Sequence, residues 1–322
     1  MSLCKRAAVT IIWIGLFLAG TLCAAPKAAG SGTDKGYFFA GPREVRRTKQ
    51  IKQGIQIVAY HQRGVFVSEQ SNSPWHQAAL FIQGTTIEDA AGKVLQDVAL
   101  CEATDADGDM NWTVLWRPTG DTGTISFKLG TGKWEGITGD GRIPGMVRKR
   151  ADAHVMPQYE IQWKINPNDR RILDALDQKE QYKYHDKGLS FHGPHITDFS
   201  RELANGTKLV ISSQSGVLLS EDPEAKSPRN FATCHDRGTT IKTATGNGDI
   251  MLLEDTDPDG DVVWLCHIWW YGKGDGTYEF IGGSGKWKDI TGVGVTRGML
   301  RGRTDDHFML KSEMHWNISP GR

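Results

Sequence analysis

The feature that most constrains this chain is a ten-residue Gly-rich signature that occurs twice. Gly130-Thr131-Gly132-Lys133-Trp134-Glu135-Gly136-Ile137-Thr138-Gly139 returns, 153 positions later, as Gly283-Ser284-Gly285-Lys286-Trp287-Lys288-Asp289-Ile290-Thr291-Gly292. Other matches keep an offset of 152 to 154. Thr104 to Asp109 pairs with Thr256 to Asp261, Trp112 with Trp264, Gly84-Thr85-Thr86 with Gly238-Thr239-Thr240, and Phe39 to Pro42 with Phe191 to Pro194. Glu160 to Ile165 pairs with Glu313 to Ile318. So steady an offset means that a whole domain of ordinary size was duplicated; a solenoid would repeat at a much shorter period. The copies fall at 37–166 and 188–319, with a leader over 26–36 and a linker over 167–187.

Each copy reads as short β-runs broken by turns, the pattern of a sandwich or barrel. Gln56 to Tyr60, Gly64 to Ser68, Thr124 to Phe127 and Tyr159 to Ile165 are candidate strands in the first copy. Trp112 to Trp116 alternates, with Trp112, Val114 and Trp116 on one face. Val263 to Trp270 is apolar on both faces, which predicts a strand buried on both sides. Neither copy contains a strong amphipathic helix. The one helix-like stretch, Arg170 to Lys183, lies between the copies and is expected to be a linker helix, with Asn168 or Asp169 as its cap. Residues 26–35 carry almost nothing to bury and read as a flexible leader.

Residues 1–25 read as a secretory signal: Lys5 and Arg6, an apolar run from Val9 to Leu18, and small residues at Ala24-Ala25. The expected location is therefore periplasmic or secreted, with no stable membrane insertion after the signal is removed. Removal leaves 36 bases against 38 acids, a net charge of −2, which gives no basic face for nucleic acid. Cys101, Cys234 and Cys266 remain. They read as buried thiols, with a Cys234–Cys266 disulfide as the alternative that an oxidising compartment permits.

The Gly-rich signature is not a nucleotide loop, because another turn follows it where a Rossmann or P-loop unit needs a helix. Glycines inside a strand mark a bend or a close backbone approach, as at the corner of a small barrel, so a bent strand is expected here, with Trp134 and Trp287 capping one barrel end. The pattern Gly-Thr/Ser-Gly-Lys-Trp-x-x-Ile-Thr-Gly, paired with Asp-x-Asp-Gly-Asp, resembles that of exported bacterial proteins with allene oxide cyclase-like or dirigent-like, calycin-type β-barrel domains. The resemblance covers both copies. It implies an all-β fold of two tandem antiparallel, about eight-stranded barrels, joined here by the short helical linker. It also implies an apolar cavity, and cyclase or stereochemical-guide activity in some members. No catalytic residue of those enzymes can be matched to a position in this chain.

Three sets of residues could carry chemistry. Asp255, Asp257, Asp259 and Asp261, with Gly260, fit the first half of a calcium loop, and Asp105, Asp107 and Asp109 form a poorer copy in which Ala103 replaces the first acid. Cys266 stands where the chelating Glu belongs, so a weak Ca²⁺ site is set against a plain Asp-Gly hairpin tip. The tryptophans are large and rigid. Trp112, Trp116, Trp134, Trp264, Trp270 and Trp287 are candidates for lining a ligand cavity, set against plain core packing. Among scattered histidines, His192 and His195 in His-Gly-Pro-His read as a surface loop, with metal ligation as the alternative. No serine elbow, Cys-His-Asn arrangement or zinc spacing is present. The expected function is an exported tandem barrel that binds a small apolar or aromatic molecule. The alternatives are a cyclase or isomerase that uses the cavity, and a structural envelope or surface interaction module.

Overall fold

The computed structural model describes residues 30–70, 75–118, 121–149, 154–166, 179–203, 206–244, 246–270, 275–302 and 307–318. The export signal read over residues 1–25 lies outside them. The first copy forms β1 (Gly30–Ala40), β2 (Glu44–Lys52), β3 (Ile55–Ser68), β4 (Ala79–Asp89), β5 (Val94–Thr104), β6 (Met110–Arg117), β7 (Gly123–Gly130), β8 (Ile137–Lys149) and β9 (Val155–Ile165). The second forms β10 (Tyr184–His192), β11 (Ile196–Glu202), β12 (Lys208–Ser220), β13 (Thr233–Thr243), β14 (Gly246–Thr256), β15 (Val262–Trp270), β16 (Gly276–Gly283), β17 (Ile290–Gly302) and β18 (Phe308–Ile318). No helix of seven or more residues occurs among the described residues.

In each copy eight antiparallel strands close into a barrel. The sheet runs β1-β9-β8-β7-β6-β5-β4-β3, and β1 pairs back onto β3; β10 and β12 close the second barrel in the same way. β2 and β11 are ninth strands laid against β3 and β12. The two runs expected at Gln56 to Tyr60 and Gly64 to Ser68 are therefore one strand. Its first half pairs with β2 and its second half crosses to β1.

The structure corrects the expected leader and the end of the expected linker. β1 starts at Gly30, because Gly30 to Lys35 pair with Ile165 to Glu160 of β9. Small residues suit that position: a side chain on Gly32 would run into the Trp163 indole. Of the linker, residues 167–178 lie outside the described residues. Residues 179–181 form a single 3-10 turn, and Tyr184 is already paired with Trp316 in the sheet, so among the described residues of the linker there is no helix beyond that turn. The signature is not one bent strand either. Gly130 ends β7, Gly132–Trp134 form a 3-10 turn, and β8 begins at Ile137.

The inner faces form two cores. Phe38, Phe66, Trp75, Phe127, Trp134 and Tyr159 fill one end of barrel 1, with Trp75 stacked on Trp134 at 4.5 Å between ring centroids. Met251, Leu265, Tyr278, Phe280, Trp287 and Trp316 fill part of barrel 2. A third apolar cluster joins the outer faces of the barrels: Val98, Leu100, Met110, Trp112 and Val114 on one side, Ile250, Leu252, Val262, Trp264, Cys266 and Ile268 on the other. Thus β15 is buried on both sides, as its sequence suggests, because a second barrel covers its outer face. Side chains this fully removed from water contribute about 1.5–3 kcal/mol each, so the junction stabilises the pair as a unit.

Polar pairs cross the junction with approximate two-fold symmetry, as in a fused homodimer. Glu102 on β5 receives Arg201 from β11, and the equivalent Glu254 on β14 receives Arg47 from β2 at 2.6 Å. Arg237, 3 % exposed, also donates to Glu254 at 3.1 Å and to the Gly84 carbonyl at 2.7 Å.

Candidate functional site

Barrel 1 holds a cavity of about 610 Å³, within the range of small-molecule sites. Strand alternation decides what lines it. Odd positions of β5 point inward, so Asp97 and Ala99 face the cavity while Val98 and Leu100 face the other barrel. Phe38, Ile82, Leu115 and Ile143 supply apolar walls, and Tyr60, Gln62, Asp97, Arg117 and Arg43 supply polar groups. Asp97 is 2 % exposed and collects three partners. It accepts from the Tyr60 hydroxyl at 2.8 Å, from Arg43 at 3.2 Å and from Arg117. Arg43 also lies 4.3 Å over the Tyr60 ring. Burial, and then the Asp97 charge, raise Tyr60 well above its ordinary range. It stays protonated and donates. Charge balances here, because Glu88 lies 3.6 Å from the second Arg43 nitrogen. The arrangement can hold a mostly apolar body and satisfy a neutral hydrogen-bonding group on it.

Barrel 2 uses the same register differently. Asp249 stands in the place of Asp97, but Ser212 replaces Tyr60, Trp269 replaces Arg117 and Met251 replaces Ala99. The longer Met251 takes up room that Ala99 leaves open. One space inside this barrel, lined by Arg229, Ser312 and Met314 among others, measures about 10 Å³, enough for a single water. At the positions where barrel 1 has Ala40, Ile82, Ala103 and Leu115, barrel 2 carries the buried polar residues His192, Asp236, Asp255 and His267. Arg229 and Asp255 pair at 3.1 Å, His192 and Asp236 at 3.1 Å, and His267 stacks on Tyr278 at 4.4 Å. Burial lifts Asp255 to about 7 in spite of Arg229, and it lowers His267 to about 3. His192, expected on a surface loop, is 4 % exposed inside the barrel, because β10 runs on to that residue before the turn.

None of the six candidate tryptophans lines the barrel 1 cavity. Trp112 and Trp264 point outward into the junction, where Trp116 and Trp270 also pack; Trp116 and Trp264 lie 5.4 Å apart. The alternation of Trp112, Val114 and Trp116 was legible, but it marks the face covered by the other barrel. Trp134 and Trp287 belong to the two cores, as expected of barrel caps. The cavity residues Tyr60, Asp97, Arg117 and Arg43 escape sequence reasoning, since they are spread over separate strands and form no motif. The only sequence signal is the contrast between the copies at positions 60, 117 and 99.

The acidic loops are hairpin tips, and they explain why the two motifs travel together. Asp105 Oδ1 accepts the N–H groups of Asp107 and Asp109 at 2.9 and 3.1 Å, while Oδ2 takes the Trp134 indole N–H at 2.7 Å and the Lys133 ammonium at 3.0 Å. Asp257 repeats this with Asp259, Asp261, Trp287 at 2.8 Å and Lys286 at 2.9 Å. Lys133 also pairs with Asp107, and Lys286 with Asp259. Asp109 and Asp261 accept from the backbone N–H of Lys133 and Lys286, and Lys52 of barrel 1 reaches Asp261. Gly132 and Gly285, with φ of 56° and 55°, are demanded twice over: by the left-handed backbone, and because a Cβ would collide with the Asp109 or Asp261 carboxylate. The lysine ammonium thus lies among the carboxylates that the calcium reading assigned to a cation. Asp255 is no part of the loop, because its position on β14 points it into the barrel toward Arg229.

The three cysteines are free and buried. Cys234 faces the interior of barrel 2 and Cys266 faces the junction, so the alternative disulfide would have to cross the sheet. No protein family, curated protein or solved structure matches this chain.

Proposed function

We propose that this is an exported tandem-barrel binding protein whose first barrel takes up a small apolar or aromatic molecule bearing one neutral hydrogen-bonding group. The observation that carries the reading is the difference between the barrels. A cavity of about 610 Å³ persists in barrel 1, where Ala99 and the cluster of Tyr60, Asp97 and Arg117 line it, and the equivalent strand positions of barrel 2 carry Met251 and Trp269. Apolar walls with a few convergent polar groups suit ligand capture. Barrel 2 then acts as the support that covers the outer face of barrel 1. Export rests on the character of residues 1–25.

The test is a titration with N-phenyl-1-naphthylamine, a neutral aromatic amine that fluoresces in apolar surroundings. Saturable binding at one probe per chain is expected. Ala99→Met, which copies barrel 2, should weaken it by about tenfold or more, since each 1.4 kcal/mol of lost contact is a factor of ten. Equal binding by parent and Ala99→Met, with both proteins folded, sinks the reading.

A second reading is a cyclase or isomerase, favoured by one observation: Asp97 is a buried carboxylate in a cavity wall with Tyr60 and Arg117 on it, the arrangement that a proton-transfer site needs. Turnover of a cyclisable substrate that is abolished by Asp97→Asn while binding of the aromatic probe persists would decide for it.

A further inference from the structure

We propose that barrel 2 carries a buried site for one divalent metal ion of the zinc type, ligated by His192 Nδ1, Cys234 Sγ and the Asp236 carboxylate, with the Gln214 amide oxygen as fourth ligand. The three primary donors come from the inner faces of β10 and β13 and lie within 4.8 Å of one another. His192 Nδ1 stands 3.1 Å from Asp236 Oδ2 and 3.9 Å from Cys234 Sγ. Neighbouring donors on a tetrahedral zinc ion, with bonds of about 2.0–2.3 Å, are separated by about 3.3–3.6 Å. The observed separations straddle that range, so only small movements are needed.

A second observation is independent of that spacing. Asp236 Oδ1 and Gln214 Oε1 are buried with no hydrogen-bond partner, in residues 1 % and 4 % exposed. Leaving buried polar atoms unpaired is costly. As placed, the Gln214 amide nitrogen sits 2.9 Å from Asp236 Oδ2 and 3.4 Å from His192 Nδ1. An amide can be turned over without changing its outline. Turned, its oxygen takes the place of the nitrogen beside Asp236 Oδ2 and His192 Nδ1, which is repulsive toward the carboxylate alone and attractive around a cation, and the amide N–H₂ moves to the side where Oε1 has no partner.

The sister barrel gives the third argument. The register that places His192, Cys234 and Asp236 in barrel 2 places Ala40, Leu80 and Ile82 in barrel 1, while Gln62 matches Gln214. The apolar trio is a sufficient core for this fold. Replacing it with an imidazole, a thiol and a carboxylate forfeits apolar burial, and a metal returns the loss as coordination energy. Charge also closes. The thiol gives up its proton to solvent as the sulfur–metal bond forms, and thiolate plus carboxylate neutralise a dication, so no net charge is buried. One sulfur, one nitrogen and two oxygens in a closed tetrahedral setting match zinc among the biological divalent ions.

The experiment uses the full chain, freed of metal by a chelator under mild unfolding and refolded with Co²⁺, then with Zn²⁺. One cobalt per chain is expected, with a thiolate-to-cobalt charge-transfer band in the near ultraviolet, visible bands of four-coordinate cobalt, and loss of both on adding zinc. Cys234→Ala should abolish the charge-transfer band, while Cys101→Ala and Cys266→Ala keep it. Asp236→Asn, which preserves shape, should cost more than the about 10–100-fold in affinity that loss of an outer partner costs. Failure of the parent to bind a stoichiometric equivalent of either metal, or a charge-transfer band that survives Cys234→Ala, overturns the proposal. Since barrel 1 takes no part, the outcome is separate from that of the aromatic-probe titration.

Discussion

Removing the carboxylate of Glu254 should destabilise the protein more than removing its counterpart, Glu102, although both occupy the same place in their barrels. Glu254 is 1 % exposed and is the charge partner of Arg47 and Arg237. In Glu254→Ala, Arg47, whose side chain is 29 % exposed, can turn to water. Arg237 cannot: it is 3 % exposed and keeps only the Gly84 carbonyl. A buried cation stripped of its counter-charge costs about 3–5 kcal/mol. Glu102 is served by Arg201, 35 % exposed, and by the neutral Thr239 hydroxyl at 3.2 Å. Glu102→Ala frees Arg201 into solvent and loses a charge-assisted hydrogen bond, a cost of about 1.5–3 kcal/mol. Urea unfolding at neutral pH, followed by tryptophan fluorescence, measures both, and the shared junction predicts one cooperative transition. Adding Arg237→Gln to Glu254→Ala installs the residue that barrel 1 has at the same position, Gln83, and should recover much of the loss. Equal costs for the two glutamates, or a double variant weaker than Glu254→Ala, would refute the argument that the stranded Arg237 sets the penalty.

Acidification should weaken the fold. Burial, aided by neighbouring arginines, holds His61 at about 4 and His235 and His267 at about 3. The unfolded chain takes up protons near 6.5 that the folded chain refuses, so their contribution is whole above about 6.5 and is lost as pH falls toward 4 and then 3. Asp255, raised to about 7, works in the opposite direction: its contribution is present below about 3.8 and fades as pH rises to 7. Burial raises Glu102 and Asp198 as well, and they act as Asp255 does. The three imidazoles are the groups whose ordinary value, about 6.5, falls inside the window, so the melting temperature should fall between pH 7 and 4.5, and a flat or rising profile contradicts this. Asp105→Ala and Asp257→Ala should each cost about 2 kcal/mol by orphaning the indole N–H and turn amides, with no calcium present, as chemical denaturation in excess chelator can measure; unchanged stability would mean that these hydrogen bonds do not hold the hairpin to the Gly-rich turn. Cys101, Cys234 and Cys266, with burial pushing Cys101 and Cys266 up to about 12, should resist a thiol reagent in the folded state and react together on unfolding. Fast labelling of any one of them in native conditions would place it at the surface.

The duplication, the all-β character and the hairpin at each Asp-Gly are determined by the sequence, because they depend on local turn chemistry and on an offset between matching residues that stays within 152 to 154. The double burial of Val263 to Trp270 is legible for a similar reason: apolar side chains on both faces of a strand require two covers. What covers the outer face is not legible, since Trp112 and Trp264 carry no mark that distinguishes a barrel junction from a ligand cavity. The Gly-rich signature and the acidic loop are each visible in the sequence. That Lys133 and Trp134 reach back to Asp105 is decided by the closing of β7 onto β6. The cavity of Tyr60, Asp97 and Arg117, and the cluster of His192, Cys234 and Asp236, belong to tertiary structure alone. Their members lie on different strands, separated by 20 to 57 positions of chain apart from the Cys234–Asp236 step, and only the register of a closed barrel turns such distances into neighbours a few ångströms apart.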